Sequence, residues 1–274
     1  MKLSLAAHAE SGPAIDILIP AIEKDLATLP YVIDGLRKHV KHPVGDIYVV
    51  SPGSERIRSL CRRKRCVFVN ENTVLPITKR DIHYRSRTWD RSGWLYQQLL
   101  KLSGDTVCSR DFLVADADTV FIRPHRFRSN GKTVFYSRAW SQPEYFNTYR
   151  KLLGRKRTSP RSLVAHYMLF ERAKLRKLKR TIEARHGIPW FKAVIRVIDR
   201  TKQFGFSEFE TYGNFVYALN RAGYTLRPAL NKSLPTGPRR LSASKITKLA
   251  KSYRSISFHK RKIYRRSGGK PSDR

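Results

Sequence analysis

The chain has 274 residues, and its 56 Lys and Arg against 21 Asp and Glu give a net charge of +35 at pH 7. With 41% hydrophobic and 11% aromatic residues it is too apolar for a disordered basic tail, and long enough to bury a large core. Three cysteines, Cys61, Cys66 and Cys108, do not make a disulfide scaffold and lack metal-ligand spacing, and their odd number points to a reducing compartment.

The N-terminal twenty residues carry a short apolar stretch interrupted by His8, Glu10 and Pro13, which does not read as a signal peptide. No run reaches the length of a membrane span. The expected location is therefore the cytoplasm, with peripheral attachment to the inner membrane face through the basic surface. From Arg150 to Arg200 there are 16 Lys and Arg against three acids, and from Lys232 to Arg274 there are 14 against Asp273 alone. Such a field attracts polyanions: an anionic membrane face, an acidic or phosphorylated substrate, or nucleic acid.

In chain order, Ile15 to Pro20 is a β-branched run that stops at a proline, as a buried strand does. A loop from Ala21 to Ala27 carries Lys24 and Asp25. Leu26, Leu29, Ile33, Leu36 and Val40 then recur at helical spacing, with Thr28 and Pro30 as cap and first turn. Asp46 to Pro52 predicts a second strand, Gly53 to about Leu60 a short helix, and Cys66 to Asn70 a third strand. This alternation means parallel βαβ units, which bind ligands at the carboxyl ends of their strands. Neither a GxGxxG nor a GxxxxGK[ST] motif is present, so a dinucleotide fold and a P-loop are unsupported.

Arg91 to Leu102 reads as a helix ended by Ser103-Gly104-Asp105, Phe112 to Ala115 as a fourth strand and Thr133 to Ser137 as a fifth. The second half is expected to be helical and basic, with helices over Arg161 to Phe170 and Arg172 to His186. It is followed by an acidic cluster within Phe204 to Ala222 and a turn-rich tail.

The informative motif is Asp116-Ala117-Asp118 at the end of the fourth strand. Two carboxylates at i and i+2 beside an apolar strand converge on a hard cation, Mg²⁺ or Mn²⁺, which a diphosphate also ligates. The alternative is that they cap the loop or pair with Arg123 or Arg126. Glu208 and Glu210, flanked by aromatics, are candidate bases, although Glu210 sits where a capping-box glutamate would. His259 and Lys260 offer a further metal ligand and a phosphate-neutralising ammonium, while His166 faces an acceptor or fills the core.

Taken in order, Pro20, the Lys24-Asp25 loop, Gly93-Trp94-Leu95-Tyr96-Gln97-Gln98 with the Leu99 to Leu102 run, Asp116-Ala117-Asp118, Ser207 to Gly213 and Phe258-His259 form a set. It resembles the bacterial DUF6492 group, read as glycosyltransferases with a GT-A fold. The resemblance implies an α/β fold, GT-A-like and Rossmann-like, with a mostly parallel central sheet flanked by helices and a helical basic C-terminal half. It implies a donor-binding half over 1–145, an acceptor-side half over 146–262 completing the same domain, and a flexible basic tail over 263–274.

It further implies a nucleotide-sugar donor contacting Pro20, Lys24, Asp25, Arg91, Trp94, Gln97, Asp116 and Lys260, and Mn²⁺ or Mg²⁺ at Asp116, Asp118 and His259. Glu208 or Glu210 would then be catalytic, and His166 would meet a glycan or lipid-linked acceptor. The competing readings are a nucleic-acid-binding protein using the basic surface, less favoured because no recognition module is visible, and a nucleotidyltransferase on the same fold.

Overall fold

The computed structural model describes residues 12–258. Its first half runs β1 (Ile15–Pro20), α1 (Leu29–His39), β2 (Val44–Ser51), α2 (Glu55–Arg63), β3 (Val67–Asn70), α3 (Ser92–Leu102), α4 (Gly104–Val107), β4 (Phe112–Ala115), β5 (Thr119–Phe121), β6 (Arg128–Ser129) and β7 (Lys132–Ser137). The second half runs α5 (Pro143–Leu153), β8 (Tyr167–Phe170), α6 (Arg172–His186), α7 (Trp190–Val197), α8 (Glu208–Leu219), β9 (Tyr224–Pro228), β10 (Asn231–Ser233), α9 (Ala243–Ala250) and β11 (Ser255–Ser257).

The central sheet has the order β3-β2-β1-β4-β8, parallel except for β8, which runs antiparallel to β4. Smaller three-stranded sheets, β6-β7-β9 and β10-β11-β5, join strands of the second half to strands of the first. The α/β class with a mostly parallel sheet flanked by helices, and a helical basic second half, is thus the architecture of the chain.

The sheet separates two apolar layers, and strand alternation decides which side chain enters each. Ile15, Ile17 and Ile19 of β1 pack with Leu29, Val32, Ile33 and Leu36 of α1 and with Ile57 and Leu60 of α2. Leu18, pointing the other way, joins Phe112 and Val114 of β4, Leu95, Leu99 and Leu102 of α3, and the apolar faces of α5 to α8. α1 begins as its sequence dictates, with Pro30 in the first turn and Thr28 at the N-cap position.

Three expectations are corrected. Arg161 to Phe170 is no helix: Tyr167–Phe170 is a fully buried strand, paired Phe112↔Phe170 through Ala115↔Tyr167. An unbroken apolar run buried on both faces has no periodicity to tell strand from helix. Gly104 does not cap α3 but opens α4, because phenylalanine lies where its side chain would be: a Cβ at Gly104 would stand 2.3 Å from Phe112 Cε2. The Ala21 to Ala27 loop contains a 3₁₀ turn over Glu23–Ala27.

Candidate functional site

The carboxyl ends of β1 and β4 lie side by side, and their loops are tied together by one hydroxyl. Thr28 Oγ1 lies 2.8 Å from the Ala117 carbonyl and 3.0 Å from the Asp25 carbonyl, which share its single hydroxyl hydrogen. Asp25, Asp116 and Asp118 consequently share one region. Burial, together with the negative charges of Asp118 and Asp116, raises the Asp25 carboxyl above the usual range, although the Ile22 N–H and Lys24 oppose the shift.

Beside Asp25, residues Glu23, Lys24, Leu26 and Ala27 line a cleft of about 390 Å³ with Arg56, Gly237, Pro238, Arg239 and Arg240. Four cations therefore face one acid there, and Glu23 is itself engaged by Ser54 Oγ at 2.6 Å and Arg56 at 3.5 Å.

Asp116 sits at the centre of a buried charge network. Lys101 of α3 donates to its Oδ1, and His166 Nδ1 meets its Oδ2 at 3.0 Å. The same ammonium lies 2.7 Å from Glu208 Oε1 at the start of α8. Lys101 is 4% exposed, and Glu208 is 3% exposed. Burial alone would lower the lysine pKa, but Asp116 and Glu208 outweigh it and hold the ammonium charged. Asp116 is held ionised in return, since Lys101 and His166 overcome the burial that would raise it. Burial, with Asp116 adding to it, raises Glu208 despite Lys101.

His166 has φ +70°, a left-handed conformation that histidine adopts at a cost. Its carbonyl accepts the Asp116 N–H at 2.9 Å, so backbone and ring grip the same aspartate.

Asp118 Oδ1 accepts from Thr119 Oγ1 at 3.3 Å, and its carbonyl accepts the Phe258 N–H at 3.0 Å. His259 and Lys260, expected as metal ligand and phosphate partner, lie outside the described residues, as does the 263–274 tail. Among the described residues no group of three or more His, Cys, Asp or Glu is arranged as a metal site.

Glu210 is fully buried and does not join this network. It caps an interior loop instead, accepting from Ser162 Oγ at 2.6 Å, Leu163 N at 3.1 Å and Asn214 Nδ2 at 3.0 Å. Gln97 reaches the Pro20 carbonyl at 3.4 Å. Arg91 and Trp94 belong to an aromatic group: the Arg91 guanidinium lies 4.5 Å from the Phe204 ring centre, and Trp94 meets Phe204 and Tyr84 at 5.7 and 6.3 Å.

The member of this charge network that sequence reasoning missed is Lys101. Its signal was a lone cation in the apolar Leu99-Leu100-Lys101-Leu102 run, where a solvated position was not available on a helix buried nearly all round.

Among the described residues no helix is long and apolar enough to cross a membrane. Solved structures similar to this chain include the bifunctional glycosyltransferase WbbM, with TM-score 0.49 at 13% identity, covering 93% of this chain and 47% of that one. The chain thus spans about half the length of that protein. The galactosyltransferase LgtC, crystallised with donor and acceptor sugar analogues, gives TM-score 0.45 at 13% identity, covering 89% and 87%. Mouse xyloside xylosyltransferase 1 gives 0.46 at 13%, covering 89% and 97%. All three TM-scores fall below 0.5, so the architecture stands on the strand order and register described above. No curated protein matches the chain in sequence. A family model matches residues 14–238, most of the chain, and the protein belongs to that family, DUF6492, a family of unknown function.

Proposed function

We propose that this protein is a glycosyltransferase that takes a sugar from a nucleotide-sugar donor bound over the carboxyl ends of β1 and β4. The observation that carries the reading is the tie from Thr28 to Ala117, which joins the loop of Asp116 and Asp118 to the Glu23–Ala27 segment, whose own residues line a cleft with Arg56, Arg239 and Arg240. Clustered acids beside clustered cations are what a metal–diphosphate group needs.

The three groups offer carboxylate oxygens, the ligand type a hard divalent cation takes, and Asp118 and Asp116 add their negative charge to the burial that raises Asp25. Asp118 would be the principal ligand, with Asp116 contributing from oxygens already engaged by Lys101 and His166. Bound there, Mn²⁺ or Mg²⁺ would neutralise charge developing on a diphosphate leaving group.

The chain's own residues do the rest in this reading. Lys24, Arg56, Arg239 and Arg240 attract and hold the diphosphate, and Lys101 fixes Asp116 by binding it and Glu208 at once. His166 completes that grip. Glu208 acts through Lys101, and Glu210 holds the loop before β8; both are too buried to be written as an exposed base.

The test is release of nucleoside diphosphate from a panel of nucleotide sugars with Mn²⁺, comparing wild type with Asp118→Ala. Release that falls by about a hundredfold or more in the variant is expected. Absence of release and of nucleotide binding in folded protein overturns the proposal, and pyrophosphate as the product identifies nucleotidyl transfer instead.

A further inference from the structure

From Thr211 to Phe258 the sequence has nine Lys and Arg and neither Asp nor Glu. Inside that acid-free stretch lies α9, which buries none of its eight residues. Ile246, Leu249 and Ala250 fall at i, i+3 and i+4 on one side of the helix and are only half-buried, while Lys245, Lys248 and, just past its end, Lys251 are exposed. A helix this short, with its apolar side incompletely covered, gains little stability in water from its own backbone.

Ile246 lines an apolar groove together with Tyr31, Val120, Pro238, Leu241 and Phe258. The groove is built on the frame of the candidate site. β11 pairs with β5 from Ser255↔Phe121 to Ser257↔Thr119, and the Phe258 N–H donates to the Asp118 carbonyl at 3.0 Å. α1 closes on β5 because Gly35 has no side chain: a Cβ there would stand 2.9 Å from the Phe121 carbonyl oxygen. Tyr31, one turn earlier on the same side of α1, borders the groove and stays 41% exposed. At about 40 Å³ the groove is far below the roughly 300 Å³ that encloses a small-molecule ligand, so it is an apolar seat on the surface. Pro238 lines both this seat and the cationic cleft, which makes the two continuous.

We propose that this face docks on an anionic lipid bilayer, with Lys245, Lys248 and Lys251 among the headgroup phosphates and Tyr31, Leu241 and Ile246 at the boundary with the acyl chains. The charge is complementary: each lysine near an anionic surface contributes about 1 kcal/mol, or roughly fivefold in binding, and no acid in the stretch opposes it. Lysines beside aliphatic and tyrosine side chains are the composition of an interfacial helix, whereas protein–protein interfaces are depleted in lysine. A nucleic-acid groove stacks bases on successive aromatics, and most of this lining is aliphatic. Docking there sets the cleft and the Asp118 loop at headgroup level, where a lipid-linked acceptor would be reached. That role rests on the glycosyl-transfer reading; the docking itself does not.

The experiment sediments the full chain with vesicles of phosphatidylcholine carrying about 30% phosphatidylglycerol, and with vesicles of phosphatidylcholine alone, then adds an oligonucleotide as competitor. Wild type is compared with Lys245→Gln/Lys248→Gln, with Tyr31→Ser and, as an equal charge change elsewhere, with Lys177→Gln/Arg180→Gln on the exposed face of α6. All the substituted side chains are exposed, and thermal unfolding confirms that each variant is folded.

The anionic vesicles are expected to bind at least about tenfold tighter than the neutral ones, to lose about thirtyfold in Lys245→Gln/Lys248→Gln and about fivefold in Tyr31→Ser, and to change less than about threefold in the α6 variant. Equal losses in the two charge variants would reduce the effect to net charge and overturn the proposal. So would binding indifferent to Tyr31→Ser, or an oligonucleotide that strips the protein from the vesicles at equal charge concentration. Nucleoside diphosphate binding, read in parallel, separates the two ideas. Vesicle binding without nucleotide binding leaves the docking face and removes the transferase, and nucleotide binding without vesicle binding removes the docking face alone.

Discussion

Thr28 and Ala117, 89 residues apart in sequence, meet through a 2.8 Å hydrogen bond from a buried hydroxyl to a backbone carbonyl. That bond makes the loop after β1 and the loop after β4 one unit, since Thr28 also binds the Asp25 carbonyl. Replacing it with valine keeps the shape and leaves the Ala117 carbonyl without its donor. Thr28→Val is expected to cost about 1–2 kcal/mol in urea unfolding and to weaken metal-dependent nucleotide binding, while Thr28→Ser retains both. Unchanged nucleotide binding in Thr28→Val would separate the two loops functionally.

Among the described residues Lys101 is the cation that bridges Asp116 and Glu208, and all three are largely buried. Lys101→Met leaves two buried carboxylates facing each other and is expected to destabilise by about 3–5 kcal/mol in equilibrium unfolding. Adding Glu208→Gln removes one of those charges, so the double variant should recover part of the loss. A double variant no more stable than Lys101→Met would show that packing, not charge, dominates here.

A pH effect is expected away from the site. His42 Nε2 accepts the Phe127 N–H at 2.7 Å and the Arg128 N–H at 3.3 Å, which requires that nitrogen to be unprotonated. Burial first, then Arg128 and Arg126, pull the imidazole down to about 4. The folded value lies below the unfolded one, so the unfolded chain binds the extra proton between them. The stabilisation is present above about pH 6.5 and fades as pH falls towards about 4, by up to about 3 kcal/mol. His125, lowered mainly by burial to about 3, adds a slope of the same sign, so the comparison is made as a difference against His42→Gln. A wild-type slope no steeper than that of the variant across pH 4–6.5 contradicts the assignment.

Gly104 gives a packing test. A Cβ there would stand 2.3 Å from Phe112 and 3.0 Å from Leu18, both in the sheet's apolar layer. Gly104→Ala should cost about 1–3 kcal/mol despite alanine's better helix propensity, measured by thermal or urea unfolding. A neutral effect would mean that Phe112 shifts freely.

The parallel sheet was legible because Ile15 to Pro20, Asp46 to Ser51 and Phe112 to Ala115 are apolar runs bounded by turns and separated by a helix with clean spacing in α1. The position of Asp116 and Asp118 directly after a buried strand was legible for the same reason. What was not legible depended on partners distant in sequence. Tyr167–Phe170 is a strand only because β4 offers it an open edge. Lys101 looks like a helix surface lysine until Asp116 and Glu208 are placed around it, and Glu210 looks like a base until Ser162, Leu163 and Asn214 surround it.

The most direct measurement is calorimetric titration of nucleoside diphosphates, with and without Mn²⁺, into wild type, Asp118→Ala and the cleft variant Arg239→Ala/Arg240→Ala. The account predicts binding that requires Mn²⁺, disappears in Asp118→Ala while the fold persists, and weakens about tenfold in the cleft variant with a reduced salt dependence. Nucleotide binding that is indifferent to Mn²⁺ and Asp118, or absent altogether from folded protein, would contradict it.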